Sequence, residues 1–229
     1  MLQKFHNALR FIQKHGTSQF VRELHYRASN HYYEWRLGVD TLGYIEAGDL
    51  GYTSRELHDY AAVGYRTLYS ILETVPIAKS ASTFLDYGVG KGRVVVVAAT
   101  FPFRRVIGIE LSALLLEAAK DNVKKMRHRR AVAVDLYQAD AAQYVVPGDV
   151  NIIHFFNPFR GEVLQDAVNH IRQSWEQYPR DIYILYMNNE HFEAVIANQD
   201  WLRRIYQADF YFGLAKAVYS CGVYVTRRA

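Results

Sequence analysis

Asp86-Tyr87-Gly88-Val89-Gly90-Lys91-Gly92 is the segment from which the rest of this chain can be parsed. It follows a short apolar run, Thr83-Phe84-Leu85, and precedes a valine-rich run from Arg93 to Ala99. Closely spaced glycines suit a tight strand-to-helix turn, because glycine accepts left-handed backbone and lets a ligand approach the main chain. The spacing fits a dinucleotide fingerprint badly. Counted from Gly88, the third glycine of G-x-G-x-x-G falls at position 93, which is Arg93.

Beyond the turn, strand-like and helix-like stretches alternate. Arg105 to Ile109 predicts a second strand ending at Glu110, and Leu114 to Arg127 a helix. Val132 to Tyr137 predicts a third strand ending near Asp140, and Val150 to Phe156 a fourth ending at Asn157-Pro158. A helix over Glu162 to Tyr178 stops at Pro179; a strand over Ile182 to Met187 and a short helix over His191 to Asn198 follow. Leu202 to Phe212 and Ala217 to Thr226 read as two final, antiparallel strands. The alternation implies a doubly wound, mostly parallel α/β sheet covered on both faces. Ligands of such sheets bind outside the carboxyl ends of the strands. Asp86, Glu110, Asp140 and Asn157 would therefore gather along one edge, and this is the main functional signal in the sequence.

Residues 1–75 predict an N-terminal helical cap and 76–229 the sheet domain, together one compact unit. A helical stripe of Leu57, Tyr60, Ala61, Tyr65, Leu68 and Leu72 predicts one helix from Thr53 to Val75, closed by Pro76. The first 22 residues carry Lys4, Arg10, Lys14 and Arg22 and no acid, with Leu2, Phe5, Leu9, Ile12 and Phe20 as a rough stripe. A surface helix docked on the domain is the favoured reading. Peripheral contact with an anionic membrane and a targeting presequence are the alternatives.

The composition excludes several classes. Of 229 residues half are apolar and 22% charged, which argues against wholesale disorder and for a single core. One cysteine, Cys221, permits neither an internal disulfide nor a cysteine-based zinc cluster, and points to a reducing, cytoplasmic setting. The nine histidines show no metal spacing, so no metal is expected. His154, inside an apolar strand, reads as buried and hydrogen-bonded rather than as a ligand or base. No G-x-S-x-G elbow is present. The basic cluster Lys120, Lys124, Lys125, Arg127, Arg129 and Arg130 precedes the third strand. It should lie at the amino-terminal edge of the sheet, which argues against nucleic acid as substrate.

The order D-x-G-x-G-x-G, then Glu110 24 residues after Asp86, then Asp140, then Asn157-Pro158-Phe159, resembles the motifs of class I S-adenosylmethionine-dependent methyltransferases. Gly38-Val39-Asp40-Thr41, Tyr60, Tyr65-Arg66, Gly90-Lys91-Gly92-Arg93 and Phe101-Pro102-Phe103 look like a bacterial subgroup of that family without an assigned substrate. The resemblance implies a Rossmann-like seven-stranded sheet with an antiparallel C-terminal strand, and S-adenosyl-L-methionine as cofactor. In its terms, Asp86 meets the methionine amino group and Gly88 and Gly90 let the backbone approach. Glu110 accepts from the ribose hydroxyls. Asp140 accepts from the adenine amino group, with the Ala141 backbone against the ring; Asp135, mid-strand, is the weaker rival. Tyr60 and Tyr65 are pocket residues of a segment folded over the cofactor, or else core aromatics.

Asn157, Pro158 and Phe159 resemble the N-P-P-Y/F loop of amino-group methyltransferases. There Asn and the Pro carbonyl accept from the target amine and the aromatic ring stacks on it. One position is missing here, and Arg160 follows. Arg160 either holds an acidic substrate group or is solvated. The implied function is methyl transfer to a nitrogen of a protein side chain or small molecule, oxygen being the next choice. The alternatives are a catalytically silent cofactor-binding or membrane-docked partner and, ranked lower, aminopropyl transfer. Acceptor and oligomeric state stay open.

Overall fold

The computed structural model describes residues 2–50, 58–188, 190–197, 199–212 and 217–227. The sheet strands are β3 (Thr83–Tyr87), β4 (Arg105–Glu110), β5 (Ala133–Gln138), β6 (Val150–Phe156), β7 (Tyr183–Met187), β8 (Leu202–Phe212) and β9 (Ala217–Thr226). They form one seven-stranded sheet in the order β5-β4-β3-β6-β7-β9-β8. β3 to β7 pair in parallel, and β9 runs antiparallel between β7 and β8. The expected doubly wound sheet is thus present. The order reverses beside β3, which has β4 on one side and β6 on the other; such a switch point opens a crevice at the strand ends.

Every residue of β3 and β7 is buried, as continuous apolar strands of a sheet covered on both faces should be. The period-two alternation of strand side chains divides the core. On one face Phe84, Val106, Ile152 and Leu185 pack with α3 (Tyr65–Thr74) and α4 (Arg93–Ala99). On the other, Leu85, Ile107, Ile153 and Ile184 pack with α6 (Gly161–Gln177) and α7 (Glu190–Ile196). Tyr87, Phe155, Tyr186 and Phe192 stack in series across that second face, with centroid spacings of 4.6, 5.1 and 4.5 Å. Cys221 is a core thiol on β9, pushed up to about 12 by burial. α5 (Ala113–Lys125) follows β4 and is capped by Ser112, whose side chain accepts from the Leu115 N–H. Within the basic cluster Lys120 and Lys125 pair with Glu117 and Asp121 on α5 itself, leading into the amino end of β5.

The N-terminal region is α1 (Leu2–His15), α2 (Thr17–Leu37) and a two-stranded ribbon of β1 (Tyr44–Ile45) and β2 (Tyr60–Ala61). The helix expected over Thr53 to Val75 is corrected here. Thr53 and Leu57 lie outside the described residues, Tyr60 belongs to β2, and among the described residues of this stretch only Tyr65–Thr74 is helical. Gly64 marks the true start: a Cβ there would meet the Tyr26 ring at 2.8 Å. Asn198, the expected end of α7, also lies outside the described residues.

A buried polar clamp joins this region to the sheet. Arg93 donates to Thr41 Oγ1 (2.7 Å), the Val63 carbonyl (2.8 Å) and Glu34 Oε1 (3.1 Å). Glu34 in turn accepts from the Thr41 N–H and the Tyr65 hydroxyl, both at 2.8 Å. A buried ion pair needs further hydrogen bonds to offset desolvation, and here each guanidinium nitrogen and each Glu34 oxygen makes at least one. On the neighbouring helix Asn122 accepts from the Asp40 N–H and donates to the carbonyls of Asp40 and Lys91. The Gly38–Thr41 motif and the Lys91–Arg93 part of the glycine turn are thus two halves of one fastening.

Candidate functional site

A cavity of about 430 Å³ opens at the carboxyl ends of β3, β4, β5 and β6, within the size range of small-molecule sites. Its wall includes Tyr60, Asp86, Gly88, Gly90, Glu110, Asp140, Ala141, Asn157, Pro158 and Phe159, while Tyr65, Asp135 and Arg160, also singled out in the sequence, are not part of it. Tyr65 is fully buried beneath the Arg93 guanidinium, 4.5 Å from its ring centroid, and its hydroxyl serves Glu34. Its position one residue after the Gly64 cap turns it into the clamp instead of the cavity.

The glycine turn needs its glycines. Gly88 and Gly90 have φ of +75° and +56°, in the left-handed region. A Cβ on Gly88 would come within 2.7 Å of Pro158, and one on Gly90 would strike the Tyr60 ring. Tyr60 is held there by its hydroxyl, which donates to the Thr41 carbonyl at 2.6 Å. Arg93, the residue that breaks the dinucleotide pattern, opens α4 and turns into the clamp.

Glu110 is 5% exposed. Its Oε2 accepts from the Gly90 N–H (2.8 Å) and its Oε1 from the Ser112 N–H (3.0 Å). The carboxylate therefore ties the glycine turn to the start of α5. Asp140 closes the turn after β5, accepting from the Ala142 N–H (2.9 Å) and from Gln143 Nε2 (3.1 Å). Asp135 is mid-strand and paired with Arg105 at 2.6 Å, away from the cavity wall.

Asp86 and His154 stand opposite each other in register on β3 and β6. His154 Nδ1 lies 2.8 Å from Asp86 Oδ1, and both residues are 1% exposed. Asp86 Oδ2 and His154 Nε2 are buried without a partner, and both residues line the cavity. Burial pushes the Asp86 carboxyl above its ordinary range, against the lowering effect of His154. His154 is hydrogen-bonded as its sequence context suggests, and it is also part of the wall.

After β6 the chain turns sharply. Asn157 has φ of +40°, a left-handed conformation that asparagine tolerates better than most residues, and its buried Oδ1 has no partner. Asn188, just after β7, is also left-handed at +57° and lines the same wall. The Pro158 carbonyl accepts from the His58 N–H at 3.3 Å. Phe159 is 3% exposed and packs edge-on against Phe155 and Tyr87. His58 stacks on His191 and its Nε2 is buried without a partner. Burial, then Arg160, then His191 hold it below the usual histidine range. His58, Asn188 and Tyr219 complete this wall and carry no local sequence signal; only the folded chain brings them together.

No protein-family profile matches this sequence, and no curated protein does. Solved structures do share its fold. A SAM-dependent methyltransferase from Leishmania major aligns with a TM-score of 0.56 at 15% identity, covering 71% of each chain. An RNA methyltransferase from Salinibacter ruber, solved with S-adenosyl-L-homocysteine, gives 0.55 at 16% identity, over 74% of this chain and 95% of its own. YcgJ from Bacillus subtilis gives 0.53 at 13% identity, over 72% and 99%. The fold is that of the class I SAM-dependent methyltransferases: the Rossmann-like seven-stranded sheet with an antiparallel C-terminal strand.

Proposed function

We propose that the protein is a SAM-dependent methyltransferase acting on a nitrogen of a small molecule or protein side chain. The observation that carries this reading is one cavity holding Glu110, Asp140 and, on its β6 wall, the unpartnered Oδ1 of Asn157. The residues fit the cofactor. Asp86 Oδ2 is a buried acceptor awaiting a donor, as the methionine ammonium would be. Gly88 and Gly90 leave the turn without side chains where the backbone must be approached. In this reading the Glu110 carboxylate accepts from the ribose hydroxyls, and Asp140 with the Ala141 backbone reads the adenine edge; all three residues line the cavity.

Bound there, S-adenosylmethionine supplies a methyl group on a sulfonium whose departure leaves a neutral thioether. The chain's own task is alignment and exclusion of water. Tyr60 covers the glycine turn from above. Asn157 Oδ1 accepts from an N–H of the nucleophile and directs its lone pair. The Pro158 carbonyl accepts from the His58 N–H and so ties His58 to this loop. His58 supplies the second acceptor, Nε2, as a neutral imidazole able to take the proton released on methylation. Phe159 supports the loop from the core side, packed on Phe155 and Tyr87.

Calorimetric titration with S-adenosylmethionine and S-adenosylhomocysteine tests the reading, with Glu110→Ala as control. Micromolar binding that the variant loses supports it and justifies screening amines with labelled methyl groups. Absence of binding to the wild-type chain would overturn it.

A further inference from the structure

The first 39 residues hold six Lys and Arg against two Glu, a formal +4 that equals the net charge of the whole chain; the remaining 190 balance 21 cations against 21 acids. Both of those Glu turn inward. Glu23 is 5% exposed and accepts from Arg27 and the Tyr211 hydroxyl; Glu34 is 7% exposed inside the Arg93 clamp. The outer surface of α2 therefore presents no carboxylate.

It presents an apolar stripe instead. Val21, Leu24, Tyr32 and Trp35 are 63, 51, 50 and 71% exposed, and Ala28 between them is exposed as well. At 3.6 residues per turn these positions share an arc of about 80°, and the stripe runs about 21 Å along the helix. Arg36 follows Trp35 directly beside the stripe, while Arg22, also exposed, lies over the Tyr211 ring with its guanidinium 5.5 Å from the centroid. Leu9 of α1 is 43% exposed too, and α1 meets α2 through the ring pair Phe11 and Phe20. Single exposed apolar side chains are ordinary. A continuous stripe along one helix, with both acids of that helix on the inner side, marks an interaction surface.

We propose that α2 docks lengthwise on an anionic lipid surface, its stripe at the headgroup–acyl boundary and its cations among the headgroups. Charge complementarity selects an anionic occupant. Aliphatic Val21 and Leu24 gain burial from lipid but nothing from nucleic-acid phosphates, and Trp and Tyr favour the membrane–water interface. Basic flanks and an apolar stripe on an otherwise polar helix describe one that lies in the plane of a bilayer. Among the described residues no helix is long and apolar enough to cross one. The inner face of α2 carries Glu34, so the docking surface lies back to back with the clamp that holds the glycine turn. This proposal is independent of the methyl-transfer reading.

The test is sedimentation of the full chain with vesicles of phosphatidylcholine alone and of phosphatidylcholine mixed with phosphatidylserine. The chain should partition to the mixed vesicles at least about tenfold more strongly, with salt weakening the interaction. Trp35 emission should shift to shorter wavelength on binding. Leu24→Asp should reduce partitioning at least about tenfold with the circular dichroism and thermal midpoint unchanged, as expected for an exposed position. Arg36→Gln should lower it less and reduce its salt sensitivity. Failure to sediment with either vesicle overturns the proposal. So does sedimentation that Leu24→Asp leaves intact, which would mean attraction by charge alone. A concentration-dependent dimer abolished by Leu24→Asp would overturn it in favour of a second copy, and a stripe-dependent gel shift of RNA in favour of nucleic acid.

Discussion

The two ends of the cavity are built on opposite principles. At the end formed by β4 and β5, the polar side chains are already engaged by their own backbone. Glu110 holds the N–H groups of Gly90 and Ser112, and Asp140 holds that of Ala142. At the end formed by β6, polar atoms stand buried and unmatched: His154 Nε2, Asn157 Oδ1 and His58 Nε2. Two asparagines there, Asn157 and Asn188, also keep left-handed backbone. Unsatisfied buried acceptors and strained backbone both cost stability and persist mainly where function requires them. The first end is set before any ligand arrives. The second is incomplete until a donor occupies it.

The strongest test of this contrast is Glu110→Ala. The substitution removes a carboxylate that two backbone N–H groups already use, so fold and binding should fail together. Affinity for S-adenosylhomocysteine is expected to fall at least a hundredfold, about 2.8 kcal/mol. Stability to urea should fall by about 1–3 kcal/mol as the two donors lose their acceptor. Unchanged affinity beside lowered stability would show that Glu110 serves the fold alone.

The opposite end should separate these quantities. Asn157→Gly removes the free acceptor while supplying the residue best suited to positive φ. Stability and affinity for S-adenosylhomocysteine should stay within about twofold, while methyl transfer falls about a hundredfold through lost alignment of the nucleophile. A matching loss of cofactor affinity would place Asn157 with Glu110 and erase the distinction between the ends.

Much of this architecture was legible in the sequence, for local reasons. Strands β6, β8 and β9 have the expected limits because their apolar runs are bounded by Pro, Gly or polar residues. Asp86, Glu110, Asp140 and Asn157 announce themselves as polar groups ending apolar strands, and a parallel sheet brings all strand ends to one edge. What escaped depends on long-range partners. Tyr60 and Tyr65 fit one helical stripe, but Gly64 between them packs on Tyr26, and the partners of Tyr65, Glu34 and Arg93, lie 31 and 28 residues away in opposite directions. His58 owes its place to the Pro158 carbonyl, 100 residues further on. Spacing cannot reveal such pairings, although the quoted segments Gly38–Thr41 and Gly90–Arg93 hold most members of the clamp.

The subtlest test concerns Asp86, which sits between the two ends and shares their properties. Its Oδ1 is matched by His154, its Oδ2 by nothing. Burial raises its carboxyl above the ordinary range, so between the ordinary and the raised value the folded chain holds a proton that the unfolded chain has released. Where the native state binds more protons, stability declines with rising pH. Any stabilising contribution is therefore complete below the ordinary carboxylate pKa and is lost as pH rises through the elevated folded value. Asp86→Asn keeps an acceptor for His154 Nδ1 and removes the ionisation. The variant should be more stable than wild type at neutral pH, the difference shrinking as pH falls toward about 4. If Oδ2 receives the methionine ammonium, affinity for S-adenosylhomocysteine should drop about tenfold, as for one charge-assisted hydrogen bond. Affinity for 5′-methylthioadenosine, which lacks that ammonium, should not change. Equal losses for both ligands would mean that Asp86 shapes the turn as Glu110 does, and would move it to the prebuilt end of the cavity.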